Sequence, residues 1–445
     1  MPELSVQEAW LVKNFLSEFA EGAYGKGNSE PIEVALKKFC EKNWVELDDG
    51  QREYLVKTLQ LLAFEFGFLS IILEDDNIEE VAVIGLHKPV YVFDRAFGWM
   101  KTNAFYSSEA AVKNAANKMA RQIGRHLSLQ NPKLNAVLPN GSRLNACIEP
   151  AAMQPAITIR KFREKPFTPT ELVANRTISS EAIAFLWAAM QTDCSMLVCG
   201  NTGSGKTSTL NALFCFVPKE ERIIVTEETP EINLPHEHMV KLVTVQNIGI
   251  GMSELIENTL RMRPDRVVVG EIRNREEVNA FIDTLLAGQG KGCYATFHAR
   301  SAKEAALRMK KLGVMEMDLG AVDIILVQKR WNSVREKKVS AEGPFSQTFS
   351  QKVSAEVRRI TEIVEVSHSA EGLELRTLFE FDHEKGMLVR KNRSSKVMEK
   401  MKITFGLNEK QLGKLLKQRE KRLRLLQAKE PSLKEFFEEI SNEPD

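Results

Sequence analysis

The chain of 445 residues predicts an α/β protein in which a three-layer domain with a largely parallel sheet follows a smaller α+β domain. Beyond residue 179, six apolar runs (SMLVC, RIIVT, MVKLVTV, RVVVG, CYATF and DIILVQ) alternate with helix-like stretches. Runs without polar alternation suit strands covered on both faces. Between about 71 and 165, shorter alternating pieces are punctuated by turn residues, as in EEVAVIGLHKPVYVFDRAFG. The third observation is a glycine-rich turn, GNTGSGKT at 200–207, set between an apolar run and the helix-like TSTLNALFCF.

Taken in order, residues 1–70 carry helical spacing, with Leu11, Phe15 and Phe19 on one face and Leu55, Leu59, Leu62 and Phe66 on another. Residues 71–165 read as the α+β domain, with a helix near 108–124 and β-like pieces NAVLPNGSRLNACIEP and PAITIRKF. The prolines of EKPFTPT disfavour helix and make 166–178 an expected linker. Ser179 or Ser180 then caps the first helix of the large domain, 179–390. Inside it, 331–357 is a polar stretch that contains KVSAE twice and is expected as an exposed hairpin or flexible insertion. The 391–445 tail is rich in Lys and Arg, with Leu412, Leu416, Leu423 and Leu426 at helical spacing, and is expected as a basic helical tail packed on its own domain or facing an acidic partner.

Composition excludes some classes. With 61 Lys plus Arg against 60 Asp plus Glu, the molecule has no overall field to hold it on nucleic acid. The N-terminus MPELSVQEAWLVKNF has neither the basic start nor the apolar core of a signal peptide, and no run of about 18 uncharged apolar residues occurs. A cytoplasmic protein with peripheral membrane contact is the expectation. The six cysteines form no C-x-x-C pair and mostly sit in apolar runs, which implies buried free thiols rather than disulfides or zinc.

The chemistry is concentrated in four places. Gly200, Gly203 and Gly205 permit turns closed to other residues, so that the backbone of Asn201, Thr202, Ser204 and Ser208 can approach phosphates at a helix N-terminus. Lys206 would hold the β and γ phosphates, and the Thr207 hydroxyl would ligate Mg²⁺. Two acidic segments follow, RIIVTEETPEI with Glu227, Glu228 and Glu231, and RVVVGEIR with Glu271. Carboxylates at the carboxyl ends of neighbouring parallel strands face one crevice, where one can polarise water and another, Glu271, can hold Mg²⁺ through water. His298 ends CYATFHA and is a candidate hydrogen-bond partner of the γ-phosphate. Arg261 and Arg273 of the large domain, and Arg143 and Arg160 of the preceding one, are candidates to stabilise phosphoryl charge.

Together these residues resemble the secretion-superfamily ATPases that drive type II secretion, type IV pili, archaeal flagella and type IV secretion. The resemblance runs through GNTGSGKT, the Asp-box-like VTEETPEI, the Walker B-like LRMRPDRVVVGEIR and the His-box-like GCYATFHA, with LPNGSR and ITIRKF upstream, and covers about 75–385. It is closest to the tight-adherence pilus and archaeal branch. It implies a RecA-like P-loop motor domain, ATP and Mg²⁺, a homo-hexamer, and a polytopic membrane platform protein as partner. It also implies Glu227 as general base, Glu271 as Walker B acid, His298 as sensor, and Arg143 and Arg160 as arginines brought in from the N-terminal domain. Two departures stand out: Glu228 where the family usually has Asp, and Arg300 where it has Asn. The four-cysteine zinc module of many relatives is missing.

Two other readings compete. A DNA-transfer motor could use the same core, although no aromatic-rich basic strand accompanies it. A weakly hydrolysing nucleotide switch is the other, and the retention of Glu227 and Glu271 argues against it.

Overall fold

The chain divides into two units, Met1–Phe162 and Arg163–Asp445. The computed structural model describes residues 4–26, 31–161, 165–245, 248–288, 290–340, 348–370 and 372–442.

The first unit opens with helices α1 (Val6–Lys26), α2 (Ile32–Lys42) and α3 (Asp49–Ala63). Their apolar faces close on a small core that includes Leu11, Phe15, Leu36, Phe39, Leu55 and Leu59. Asp48 starts α3 by accepting from the Gln51 N–H, and the Gln51 side chain returns the bond. A short α4 (Phe68–Glu74) leads into β1 (Ile78–Val83), β2 (Pro89–Asp94) and β3 (Gly98–Phe105). After α5 (Glu109–Arg121), the strands β4 (Lys133–Val137), β5 (Arg143–Cys147) and β6 (Ala156–Arg160) complete an antiparallel sheet in the order β3-β2-β1-β6-β5-β4. Val112, Ala116 and Met119 of α5 pack on Val81, Ile157 and Ile159, so one face of this sheet is covered.

The second unit begins with α6 (Pro169–Ala174), a helix inside the stretch whose prolines argued against one. Pro169 stands in the first turn, where no intrahelical hydrogen bond is lost, and Thr168 with Glu171 forms a capping box. Next come α7 (Ser180–Met190), β7 (Met196–Gly200), α8 (Lys206–Leu213), β8 (Ile223–Glu227) and β9 (Met239–Val243). They are followed by α9 (Met252–Thr259), β10 (Arg266–Ile272), α10 (Arg275–Leu286), β11 (Gly292–Phe297), α11 (Ala302–Lys311), α12 (Glu316–Leu319) and β12 (Ile324–Ser340). Six strands pair in parallel in the order β12-β7-β11-β10-β8-β9. Beyond β12 the sheet continues antiparallel through β13 (Thr348–Ser369), β14 (Gly372–Asp382) and β15 (Met387–Arg390).

Side-chain alternation along β7 shows why three layers form. Met196 and Val198 enter one buried cluster with Phe185 and Trp187 of α7, whereas Leu197 and Cys199 enter another with Ile256 of α9 and Phe281 of α10. Five of the six apolar runs are thus strands with both faces buried, in an α/β fold, whereas MVKLVTV forms the edge strand β9 and is only partly buried. All six cysteines are free, and only Cys147 is not buried.

Of the polar stretch 331–357, residues 331–340 lie on β12 and 348–357 on β13, paired antiparallel, and 341–347 lie outside the described residues. Strand β12 pairs with β7 only as far as Gln328, but with β13 as far as Ser340, opposite Thr348. The C-terminal helices α13 (Lys396–Phe405), α14 (Glu409–Gln427) and α15 (Leu433–Asn442) pack on the α7 side of the sheet. Leu412, Leu423, Phe436 and Ile440 share the cluster of α7. Arg419 is buried between the Trp187 and Phe405 rings, with its guanidinium carbon 4.8 and 5.2 Å from their centroids. Burial and then the nearby Arg422 pull its pKa down to about 9. Among the described residues no single helix is long and apolar enough to cross a membrane.

Candidate nucleotide site

Strand β7 ends at Gly200, and α8 begins at Lys206 with Gly205 as its N-cap in the left-handed region. Gly203 and Gly205 have φ of 71° and 95°, conformations that L side chains rarely adopt. At Gly200 the constraint is space: a Cβ would lie 2.2 Å from the Gln328 carbonyl oxygen and 2.5 Å from Ser204 Oγ. The loop formed by Gly200, Asn201, Thr202, Gly203, Ser204 and Gly205 therefore closes tightly over the end of the sheet. It aims the first N–H groups of α8, those of Lys206, Thr207 and Ser208, at the crevice. Lys206 is buried, and its Nζ donates to the carbonyls of Gly200 at 3.3 Å and Asn201 at 3.4 Å. The Thr207 hydroxyl donates to Glu231 Oε2 at 3.2 Å.

Glu227 is the last residue of β8 and is 2% exposed. Its Oε1 accepts from the N–H groups of Glu231 and Ile232, each at 2.8 Å, while Oε2 is buried with no hydrogen-bond partner among the described residues. Burial raises its pKa to about 7, against the lowering effect of the two backbone bonds. Gly270 on β10 makes room for this side chain, since a Cβ there would lie 3.0 Å from Glu227 Cγ.

Glu271 stands near the end of β10, between two partners. Arg273 donates to Oε2 through Nε at 2.7 Å, and His298 Nε2 lies 2.5 Å from Oε1. Arg273 also reaches Glu228, so one guanidinium ties the two acidic segments together. Burial would raise the Glu271 carboxyl, but the bond and charge of Arg273, followed by His298 and Lys206, outweigh it and hold Glu271 below the usual range. His298 is lowered, first by burial and then by the Lys206 charge. It is therefore a neutral imidazole near pH 7, donating Nε2–H to Glu271. The Arg308 guanidinium donates to the His298 carbonyl and fixes the turn that carries the ring.

The sequence candidates Lys206, Thr207, Glu227, Glu271, Arg273 and His298 thus meet at the carboxyl ends of β7, β8, β10 and β11. Arg261 does not join them. It is exposed in the turn before Arg266, the first residue of β10, and so lies at the opposite end of that strand from Glu271. Neighbouring Arg266 is fully buried and bonds Glu221, Tyr294 and the Thr192 carbonyl, which makes it a strut of the sheet. In the first unit, β5 and β6 place Arg143 directly opposite Arg160. Sequence reasoning missed Gln328, whose Oε1 accepts from buried Thr209 at 2.8 Å, and missed Arg330 and Arg358 beside the loop glycines. It named Glu231 without foreseeing its bond to Thr207. Among the described residues no group of three or more His, Cys, Asp and Glu is arranged to hold a metal ion.

The family model described as "Type II/IV secretion system protein" matches residues 106–416. The chain belongs to this family. An uncharacterized protein of Methanocaldococcus jannaschii is 39% identical over 234 residues, which cover 50% of this chain and 32% of that protein. A putative conjugal transfer protein of Mycobacterium tuberculosis is 32% identical over 280 residues, covering 60% of this chain and 78% of the relative. The solved structure of the Legionella pneumophila ATPase DotB aligns at 18% identity with a TM-score of 0.44, over 66% of this chain and 79% of that one. The chain spans only 32% and 49% of the lengths of two M. jannaschii relatives. Family membership implies nucleotide binding.

Proposed function

We propose that the chain is an ATP hydrolase that drives secretion or the assembly of a type IV pilus-like filament. In this reading it works as a ring of like subunits, six by family resemblance, at the cytoplasmic face of a membrane and against a polytopic platform protein. The observation that carries the reading is Glu227: a buried carboxylate held by two backbone N–H groups, with its second oxygen unengaged among the described residues, at the same sheet end as Lys206. With a pKa of about 7 it is matched to taking a proton from water near neutrality.

The residues fit ATP and Mg²⁺. The Lys206 ammonium rests on carbonyls of its own loop, which a phosphate can replace as partners. The Thr207 hydroxyl, with Glu231 or Glu271 through water, would hold Mg²⁺, which when bound neutralises charge on the β and γ oxygens. Glu271 holds the Nε2–H of His298, the one donor of the neutral ring, and that donor can pass from the carboxylate to a terminal phosphate oxygen as that group comes and goes. Arg143 and Arg160 are proposed to complete the site with positive charge, from the same chain or from a ring neighbour.

The test is Lys206→Ala: nucleotide binding and hydrolysis are expected to vanish while the circular dichroism spectrum stays native. A variant that hydrolyses ATP normally would sink the reading. The M. tuberculosis relative, described as a putative conjugal transfer protein, favours one second reading, a DNA-transfer motor. Several-fold stimulation of turnover by single- or double-stranded DNA would select it over protein secretion.

A further inference from the structure

The hydrolytic side chains all lie on one side of the phosphate loop, on β8, β10 and β11. Across β7, on the other side, β12 and β13 bring a second charged group to the same loop. Arg330 on β12 stands directly opposite Arg358 on β13 in the antiparallel register. Like charges opposite one another oppose strand pairing, so this placement gains nothing for the hairpin by itself. Glu356, two residues before Arg358, bridges both guanidinium groups, with its Oε2 3.3 Å from Arg330 Nη1 and its Oε1 3.1 Å from Arg358 Nη2.

Both arginines lie beside the loop. A Cβ on Gly203 would lie 2.8 Å from Arg330 Nη1 and 3.2 Å from its Cζ. A Cβ on Gly205 would lie 3.0 Å from Gln328 Nε2 and 3.9 Å from Arg358 Cδ. The glycines therefore serve two ends: they permit the left-handed turns, and they let guanidinium and amide groups lie against the backbone that would wrap phosphate. A register shift between Val327 and Gln328 re-aims the strand where it reaches the loop. All three groups are partly open to solvent, with the Arg330, Arg358 and Glu356 side chains 35%, 28% and 17% exposed.

The geometry points to Arg330 and Arg358 as ligands of the non-transferred end of the nucleotide, the α and β phosphates and the ribose hydroxyls, with Glu356 holding them in place until nucleotide arrives. The inference rests on the reading of 200–208 as a nucleotide loop. The end is assigned by topology: the acids and His298 claim the γ side, so cations across β7 meet the part that ATP and ADP share. Arginine suits the task because its planar fork bonds phosphate oxygens in pairs.

Full-length protein would be titrated with fluorescent methylanthraniloyl-ADP, and steady-state ATP turnover measured, for wild type, Arg330→Ala, Arg358→Ala, Arg330→Lys, Glu356→Gln and Lys206→Ala. Each alanine variant is expected to bind ADP about tenfold or more weakly and to raise KM for ATP by the same factor, with kcat at saturation within about twofold. Arg330→Lys should recover part of the affinity. Glu356→Gln should keep ADP affinity or tighten it, because the arginines lose a competitor. If they only brace the hairpin through Glu356, that variant reproduces their loss, and the proposal is overturned. A fall in kcat with unchanged ADP affinity also overturns it, since the arginines would then serve the transferring phosphoryl group. Wild-type binding that Lys206→Ala abolishes but the arginine variants leave intact defeats this inference alone. Wild type that binds no ADP defeats the nucleotide reading beneath it.

Discussion

Glu227→Gln separates what the buried carboxylate does for catalysis from what it costs the fold. The side chain is 2% exposed, and burial raises its pKa from 4.5 to about 7. Between those values the native state holds a proton that the unfolded chain has released. Stability contributed by the neutral acid is therefore complete below pH 4.5 and is lost as pH rises through about 7. Integrated from about pH 5 to about pH 8, the loss is about 2.5 kcal/mol, or about 4 °C in Tm for a unit of this size. Glutamine keeps an oxygen for the N–H groups of Glu231 and Ile232 and cannot ionise. Whatever the buried amide costs is independent of pH, so the variant should gain about 2.5 kcal/mol on wild type over that interval. Thermal or urea unfolding of nucleotide-free protein at the two pH values measures it. Over about pH 6 to 8, wild-type turnover should rise about tenfold as the base ionises, with none in the variant. Parallel stability profiles for the two proteins would refute the argument, because Glu227 would then ionise in the folded chain as it does in the unfolded one.

Glu271→Gln should retain ATP affinity within a few-fold and lose turnover by at least about 100-fold, which equilibrium binding and steady-state kinetics separate. A fragment starting at Arg163, which keeps the core residues Leu172 and Ile178, should bind nucleotide like the full chain but hydrolyse it at least about 100-fold more slowly, and Arg160→Ala should act likewise. Equal turnover of fragment and full chain would remove Arg143 and Arg160 from the site. Phe436→Ala in α15 should destabilise the second unit by about 3–4 kcal/mol in urea, since the ring is fully buried against Phe216, with centroids 5.9 Å apart. A loss below about 1 kcal/mol would make α15 an accessory rather than part of the core.

What could be read from the sequence was contiguous. GNTGSGKT carries its strand, turn and helix in one stretch, and Glu227, Glu271 and His298 each follow an apolar run closely enough to locate them at a strand end. Arg330 and Arg358 were hidden because their chemistry depends on strand register: only the antiparallel pairing sets 330 against 358, and only the parallel pairing of Gln328 with Gly200 brings both to the loop. Arg261 lies away from the other candidates for the opposite reason. It is near Glu271 in sequence, yet a strand separates them in space. Pro169 misled because proline signals a break in a helix interior and a beginning at its first position.

The helices that close the back of the second unit are made after its whole sheet. Ser180 bonds Glu420 across 240 residues of chain, Gln191 meets Arg419 across 228, and the Asp193 carbonyl meets Lys400 across 207. During synthesis α7 must therefore wait, its apolar side uncovered, while the whole sheet is translated. At about 5–20 residues per second this is a delay of about 10–50 s, in which a nascent chain can stick to others. Contacts so distant in sequence also make folding slow. The order of synthesis thus delivers residues 200–208 well before the helices that cover α7.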